Sequence, residues 1–143
     1  MIKSIYHDTA VAVEVTKVDA DNEVVTGAGV DMSGFEGVAF IAVVGKGEVA
    51  AHSLKAQQDT DSAFGTAADL AGTAKAFSSA VAADGIAVLD IYQPQERYVR
   101  PLLTVANVGT ARPAMIISIR YGARTSPQVN VGEFHQAPDE GTA

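Results

Sequence analysis

The sequence predicts an all-β protein: a jelly-roll-like β-sandwich of short antiparallel strands over residues 1–122, followed by an extended C-terminal arm over 123–143. Three observations carry this. Short β-branched, apolar runs recur between turn clusters of Gly, Asp and Pro. No stretch sustains a helical period, and the Ala-rich region 63–83 is broken by Gly65, Gly72 and the pair Ser78-Ser79. The hydrophobic content of 48% comes from Ala, Val, Ile and Leu, with 6% aromatics and no Trp, which suits a thin sheet-on-sheet core better than an aromatic-lined pocket. At 143 residues a single core needs no metal or disulfide staple.

Taken in order, residues 1–8 read as an arm or an edge strand. Residues 10–15 set Val11, Val13 and Val15 against Ala12 and Glu14, the alternation of a half-buried strand. Residues 17–23, rich in Asp and Asn, read as a charged turn, and Val24-Val25-Thr26 restarts a strand. Asp31-Met32-Ser33-Gly34 is a second turn. Residues 35–44 are apolar on both faces, as in a strand covered on both sides, within a sandwich or at a subunit contact. Residues 50–58 alternate Leu54 and Ala56 against Lys55 and Gln57.

Residues 59–74 read as a loop with one helical turn over 66–70 capped by Thr66, and 75–82 as a short strand or turn. Residues 86–105 form the firmest prediction. Two strands flank the polar turn Gln93-Pro94-Gln95, a hairpin that would set Asp90 opposite Arg97 or Tyr98 as a cross-strand pair. Residues 109–113 turn the chain into a last strand over 114–121. The arm beyond, with Pro127 and Pro138 and no sustained period, is expected to order only when something binds it.

The net charge of −7 and pI of 4.7 argue against nucleic acid, because ten basic residues are spread among 17 acids rather than gathered into a stripe. The absence of Cys removes disulfides, thiolate nucleophiles and Cys-type zinc sites, and fits folding in a reducing cytoplasm. The N-terminus lacks the apolar core of a signal peptide. The longest apolar run, 38–44, is far short of the roughly 20 residues of a spanning helix, so no membrane partner is expected.

Motifs that would carry chemistry fail on spacing. Asp59-x-Asp61 has its glycine, Gly65, one place late for a calcium loop, and Leu70 stands where the bidentate Glu belongs, so a solvated acidic loop is expected. Asp19-x-Asp21 reads as a turn. Gly27-x-Gly29 is followed by Met32 instead of the third glycine of a dinucleotide fingerprint. His7, His52 and His135 lie in three separate segments, and no Gly-x-Ser-x-Gly elbow exists. No catalytic residue, metal site or cofactor is expected.

Four stretches resemble the capsid cement or decoration proteins of tailed bacteriophages. They are Val30-Asp31-Met32-Ser33-Gly34-Phe35, Leu54-Lys55-Ala56-Gln57-Gln58-Asp59, Arg97-Tyr98-Val99-Arg100 and His135-Gln136-Ala137-Pro138. The correspondence covers most of the chain beyond residue 24. Loop 59–84 is longer than the family's link, although Asp61-Ser62-Ala63-Phe64 keeps a trace of it. The resemblance implies a jelly-roll-like domain that is made in the host cytoplasm and sits on the capsid exterior of the virion. It further implies a dimer or trimer with itself, and a major capsid protein whose subunits it bridges. The interface residues expected on it are Arg97, Tyr98, Arg100, Arg124, Phe134 and His135.

A host-surface carbohydrate-binding module or a tail- or fibre-associated virion protein remains the alternative. Sugar sites favour exposed aromatic platforms, and this chain has four Tyr and no Trp. A cupin-like enzyme would need clustered His and Glu on strands, which three scattered histidines do not supply.

Overall fold

The structure is a computed structural model that describes residues 4–47, 50–80, 82–106, 111–125, 128 and 130–132. Among the described residues, one helical turn, α1 (Ile5–Asp8), precedes ten strands: β1 (Ala10–Ala20), β2 (Glu23–Thr26), β3 (Val30–Asp31), β4 (Gly37–Val44), β5 (Ala50–Asp59), β6 (Ala68–Asp69), β7 (Lys75–Ser79), β8 (Gly85–Tyr92), β9 (Tyr98–Val105) and β10 (Arg112–Tyr121). All pairings are antiparallel. One sheet has the order β1-β10-β4-β8. The other is built on β2-β9-β5, with β7 and β6 sharing the far edge of β5, and β3 continuing the β2 side of β9.

The pairing is nested: β1 with β10, β2 with β9, β4 with β8 and β5 with β7. A long antiparallel ribbon folded over itself in this way is a jelly roll, as expected from the sequence. Between the sheets lies a core whose fully buried members include Phe40, Leu54, Leu103, Ile116, Val38, Val44, Val99 and Val105.

The nesting overturns the expected hairpin over 86–105. Both limbs are strands, but β8 pairs with β4 in one sheet and β9 pairs with β5, β2 and β3 in the other. The connection crosses from layer to layer and is tied to both. Gln93 N–H donates to the Glu36 carbonyl at 2.7 Å, while Gln95 and Glu96 N–H donate to the Gln58 side chain at 3.2 and 3.3 Å. Asp90 therefore does not face Arg97 or Tyr98.

Other local expectations change for equally local reasons. Residues 4–8 form a helical turn rather than an edge strand, because the Ser4 hydroxyl accepts the N–H of Tyr6 and His7. Strand β1 runs on through the expected charged turn to Ala20, with register shifts after Val13 and Lys17. Lys17 meets Glu23 at 3.1 Å and Asp19 at 3.8 Å beside it. The chain reverses only at Asp21-Asn22, where Asn22 has φ 45°. Residues 68–69 pair with Gln57 and Gln58 as a strand, so no helical turn forms at Thr66.

The valines of β1 are also inverted relative to the simplest reading. Val11 and Val13 are exposed (44% and 62%), while Glu14 is buried. Its carboxylate is satisfied inside: one oxygen accepts the Ser118 hydroxyl at 2.7 Å, the other the Gly29 N–H at 2.7 Å. A buried carboxylate with both oxygens hydrogen-bonded is tolerated where an unpaired one is not.

Candidate interaction surfaces

The two outer faces of the sandwich differ in character. On the β1-β10-β4-β8 sheet, register places Val13, Ile117, Ile41 and Val88 in one row across all four strands. The rows on either side are Val11, Ile119, Ala39, Asp90 and Thr16, Met115, Val43, Ile86. Asp90 is the one charged side chain in these rows. Exposure is greatest at the two edges: Val13 62%, Ile86 63%, Val88 59% and Tyr92 59%.

Four strands ~4.8 Å apart, followed along β10 at ~3.4 Å per residue, make this face roughly 19 Å by 27 Å, or about 500 Å² in projection. That is the size of the largest apolar patch on a typical monomer, about 300–600 Å², which is often functional. At one end a depression of about 310 Å³ opens between Thr16, Val18, Val43, Pro113 and Met115.

The other outer face is polar. Its rows run Val24, Thr104, Ser53; Thr26, Leu102, Lys55; and Arg100, Gln57. Lys55 pairs with Asp69 at 2.8 Å, and both Nε and Nη2 of Arg100 donate to the Gln57 amide oxygen at 3.0 and 2.8 Å. Loop 60–66 closes over one end of this face. Asp59 is 1% exposed rather than solvated, because its carboxylate accepts the N–H of Asp61 (3.0 Å) and of Thr66 (2.8 Å) and the Thr66 hydroxyl. The Asp61 amide contributes most to holding the Asp59 carboxyl below its usual range, with Thr66 assisting. Phe64 (φ 54°) lies under the Arg100 guanidinium, 4.7 Å from ring centroid to Cζ.

Two segments far apart in sequence, Val30–Asp31 and Tyr98–Val99, meet at one end of the sandwich. Arg97 grips Asp31 in a two-pronged pair, Nε to Oδ1 at 3.0 Å and Nη2 to Oδ2 at 2.8 Å. The Arg97 hydrogen bond, with the Ser33 N–H behind it, holds the Asp31 carboxyl down at about 2. The Met32 N–H donates to the Arg97 carbonyl at 2.8 Å. Beside them a polar cleft of about 490 Å³ is lined by Met32, Phe35, Glu36, Gln93–Arg97 and Arg124.

A buried polar cluster joins the sheets elsewhere. The Ala106 N–H donates to His52 Nδ1 at 3.1 Å, so in the neutral ring Nε2 holds the proton and donates to the Ser79 hydroxyl at 2.9 Å. Arg112 Nη1 donates to the same hydroxyl at 2.8 Å. His52 thus has no lone pair aimed at Ser79, and the pair lacks the geometry of a base-activated nucleophile. Burial first, and Arg112 second, lower the His52 pKa.

Among the described residues, no three His, Asp or Glu side chains converge as a metal site. No described helix is long and apolar enough to cross a membrane.

Of the residues expected at an interface, Arg97 and Arg124 come together at the cleft. Tyr98 is half-buried beside them under the Arg97 guanidinium, 5.2 Å from its ring centre. Arg100 sits further along β9 on the polar face. Phe134 and His135 lie outside the described residues. Arg124 N–H donates to the Gly34 carbonyl, Gln128 N–H to that of His7, and Asn130 bonds Tyr6, Thr9 and Val11 backbone groups, so these parts of the expected arm rest on the sandwich. The strand over 35–44 was expected to be covered on both sides, within a sandwich or at a subunit contact, but no residue of the apolar outer face was among those expected at an interface. The signal for that face was the doubly apolar run of residues 38–44.

No protein-family model matches the chain, and no curated protein matches it. Among solved structures, the crystal structure of the PBSX exported protein XepA is similar at a TM-score of 0.58 and 13% sequence identity. The match covers 92% of this chain and 43% of that one, so the chain spans less than half the neighbour's length and shares its fold.

Proposed function

We propose that this chain is a structural virion protein that docks on the outside of a phage capsid and stabilises it by bridging major capsid protein subunits. The observation that carries the reading is the apolar outer face of the β1-β10-β4-β8 sheet, whose rows hold the single charge Asp90, set against a polar face on the opposite side. One flat apolar side and one wet side suit a protein laid on a larger surface. Its fold likeness to a PBSX exported protein supports a phage setting.

On this reading the protein works by burying area, without catalytic residue, cofactor, nucleic acid or membrane. The docking contact belongs on the apolar face rather than at Arg97 and Arg100, whose guanidiniums are engaged by Asp31 and Gln57 within the chain. Arg124 and the polar cleft are left to secondary contacts. A face of about 500 Å² is smaller than the roughly 800 Å² per partner of a standard interface, so firm attachment needs several copies acting together.

Co-sedimentation with undecorated capsids tests this. The wild type pellets with capsids, and Val13→Asp, which puts a charge in the central apolar row, weakens binding at least about tenfold while leaving the fold intact. A wild type that stays in the supernatant sinks the reading, as does a Val13→Asp variant that binds undiminished.

A further inference from the structure

The two edges of the apolar sheet are unequally protected. Strand β1 is broken by two register shifts, and its edge is occupied at Val11, whose N–H donates to Asn130 Oδ1 at 3.1 Å. Bulges and such covers are how sheets keep other strands away. Strand β8 has no bulge, and β7 of the facing sheet comes against it at Gly85, where a Cβ would meet the Ser78 carbonyl. Strand β8 pairs with β4 in unbroken register from Gly85 to Tyr92, and no hydrogen bond among the described residues reaches its outer edge. It contains no Pro and no Lys, and its single charge is Asp90. Its outward side chains Ile86, Val88 and Tyr92 are the most exposed apolar groups of the sheet apart from Val13 and Val18.

We propose that β8 pairs antiparallel with β8 of a second copy of this chain, joining two four-stranded sheets into one continuous sheet of eight. A two-fold axis through Val88 or Leu89 keeps each Asp90 away from its own copy and sets it opposite Ile86 or Val88, so one strand serves both sides without like charges meeting. The segment after residue 132, Glu133-Phe134-His135-Gln136-Ala137-Pro138-Asp139-Glu140, is acidic and carries Pro138, so it is poorly suited to add a strand at this edge.

Pairing at β8 leaves the outer faces of both copies on the same side of the joined sheet. The apolar area doubles to roughly 1,000 Å², within the range a specific interface needs. The pairing stands on the edge alone. Only this last consequence rests on the docking reading.

The test measures mass in solution without capsids, so its failure is separate from a failure to dock. Sedimentation equilibrium at ~10–100 μM is run on the wild type, Val88→Asp and Val13→Asp, with circular dichroism and thermal melts to verify the fold. Val88 and Val13 lie in the same row at opposite edges and are similarly exposed, at 59% and 62%. In either register Val88→Asp sets two carboxylates opposite one another.

The wild type is expected at twice the 14.8 kDa monomer mass, Val13→Asp likewise, and Val88→Asp at the monomer mass with an unchanged spectrum. Amides of 85–92 should gain hydrogen-exchange protection as wild-type concentration rises, and this reading holds even if Val88→Asp misfolds. A monomeric wild type overturns the proposal. So does a dimer that both variants break, which would place the contact on the face, or one that neither breaks. Protection of 85–92 that comes only with capsids would assign the edge to another protein's strand and likewise overturn self-pairing.

Discussion

The Tyr121 hydroxyl donates to the Asp90 carboxylate at 2.6 Å from two strands away, its ring lying over Gly37 of the intervening strand. Asp90, which interrupts an apolar strand, is thus bound within its own sheet by a residue 31 positions on. The arrangement depends on residue 37 having no side chain, since a Cβ there would overlap the Tyr121 ring.

Gly37→Ala should therefore displace the Tyr121 ring and destabilise the fold by about 1–3 kcal/mol, the usual cost of overpacking. Urea denaturation measures it. In a Tyr121→Ala background the same substitution should cost much less, because the clash is gone.

Burial, and then the hydrogen bond to Asp90, push the Tyr121 pKa up to about 12 from 10.0. The folded chain therefore keeps a proton that the unfolded chain loses above pH 10. This contribution to stability is present below pH 10 and is lost as pH rises through about 12. Absorbance titration should show one of the four tyrosines ionising late. Tyr121→Phe should abolish that late step and flatten the alkaline fall in stability.

Asp31 works in the opposite range. With its carboxyl held at about 2 against 3.8, its contribution is complete above about pH 4 and is lost as pH falls toward 2. Its side chain is 38% exposed, so Asp31→Asn should cost only about 0.5–1 kcal/mol at pH 7. Melts from pH 5 to pH 2 should show the gap between wild type and variant closing. A gap constant over that range would mean the Arg97 pair is not its source.

The Ser79 hydroxyl accepts from both His52 and Arg112 in a buried setting. Ser79→Ala should cost about 1–3 kcal/mol, because the donors lose that acceptor where water cannot replace it. His52 is held neutral, its pKa lowered from 6.5, so its contribution is full above about pH 6.5 and falls as pH drops below that value. His52→Gln should remove that part of the pH dependence, as seen in denaturant midpoints between about pH 5 and 7.

Inner and outer positions of one sheet should respond differently. Phe40→Ala, at a fully buried site, should cost about 3–5 kcal/mol. Val13→Ala, on the outer face, should cost under about 0.5 kcal/mol. Equal losses would show that the outer face is covered within the monomer.

Most strands could be read from the chain because alternation and turn residues are local. Residues 37–44, 50–59, 85–92, 98–105 and 112–121 all lie where β-branched runs meet Gly, Asp or Pro. Pairing was less legible. Pro94 and its glutamines look like the tip of a hairpin, yet the bonds that set the path of the connection come from Glu36 and Gln58, far away in sequence. The short strand at 68–69 likewise exists only because Gln57 and Gln58 present an edge to it.

The sequence by itself determined that the protein is all-β, where most strands lie, and that residues 38–44 are apolar on both faces. Only the tertiary structure decided which sheet each strand joins and which side of it faces inward. Alternation marks two faces but does not say which is covered. In β1 that choice turned on Glu14, whose carboxylate finds the Ser118 hydroxyl 104 residues later and the Gly29 amide 15 residues later. With Glu14 satisfied inside, Val11 and Val13 turn outward, and together with Ile41, Ile117 and Val88 they leave the sandwich an apolar side.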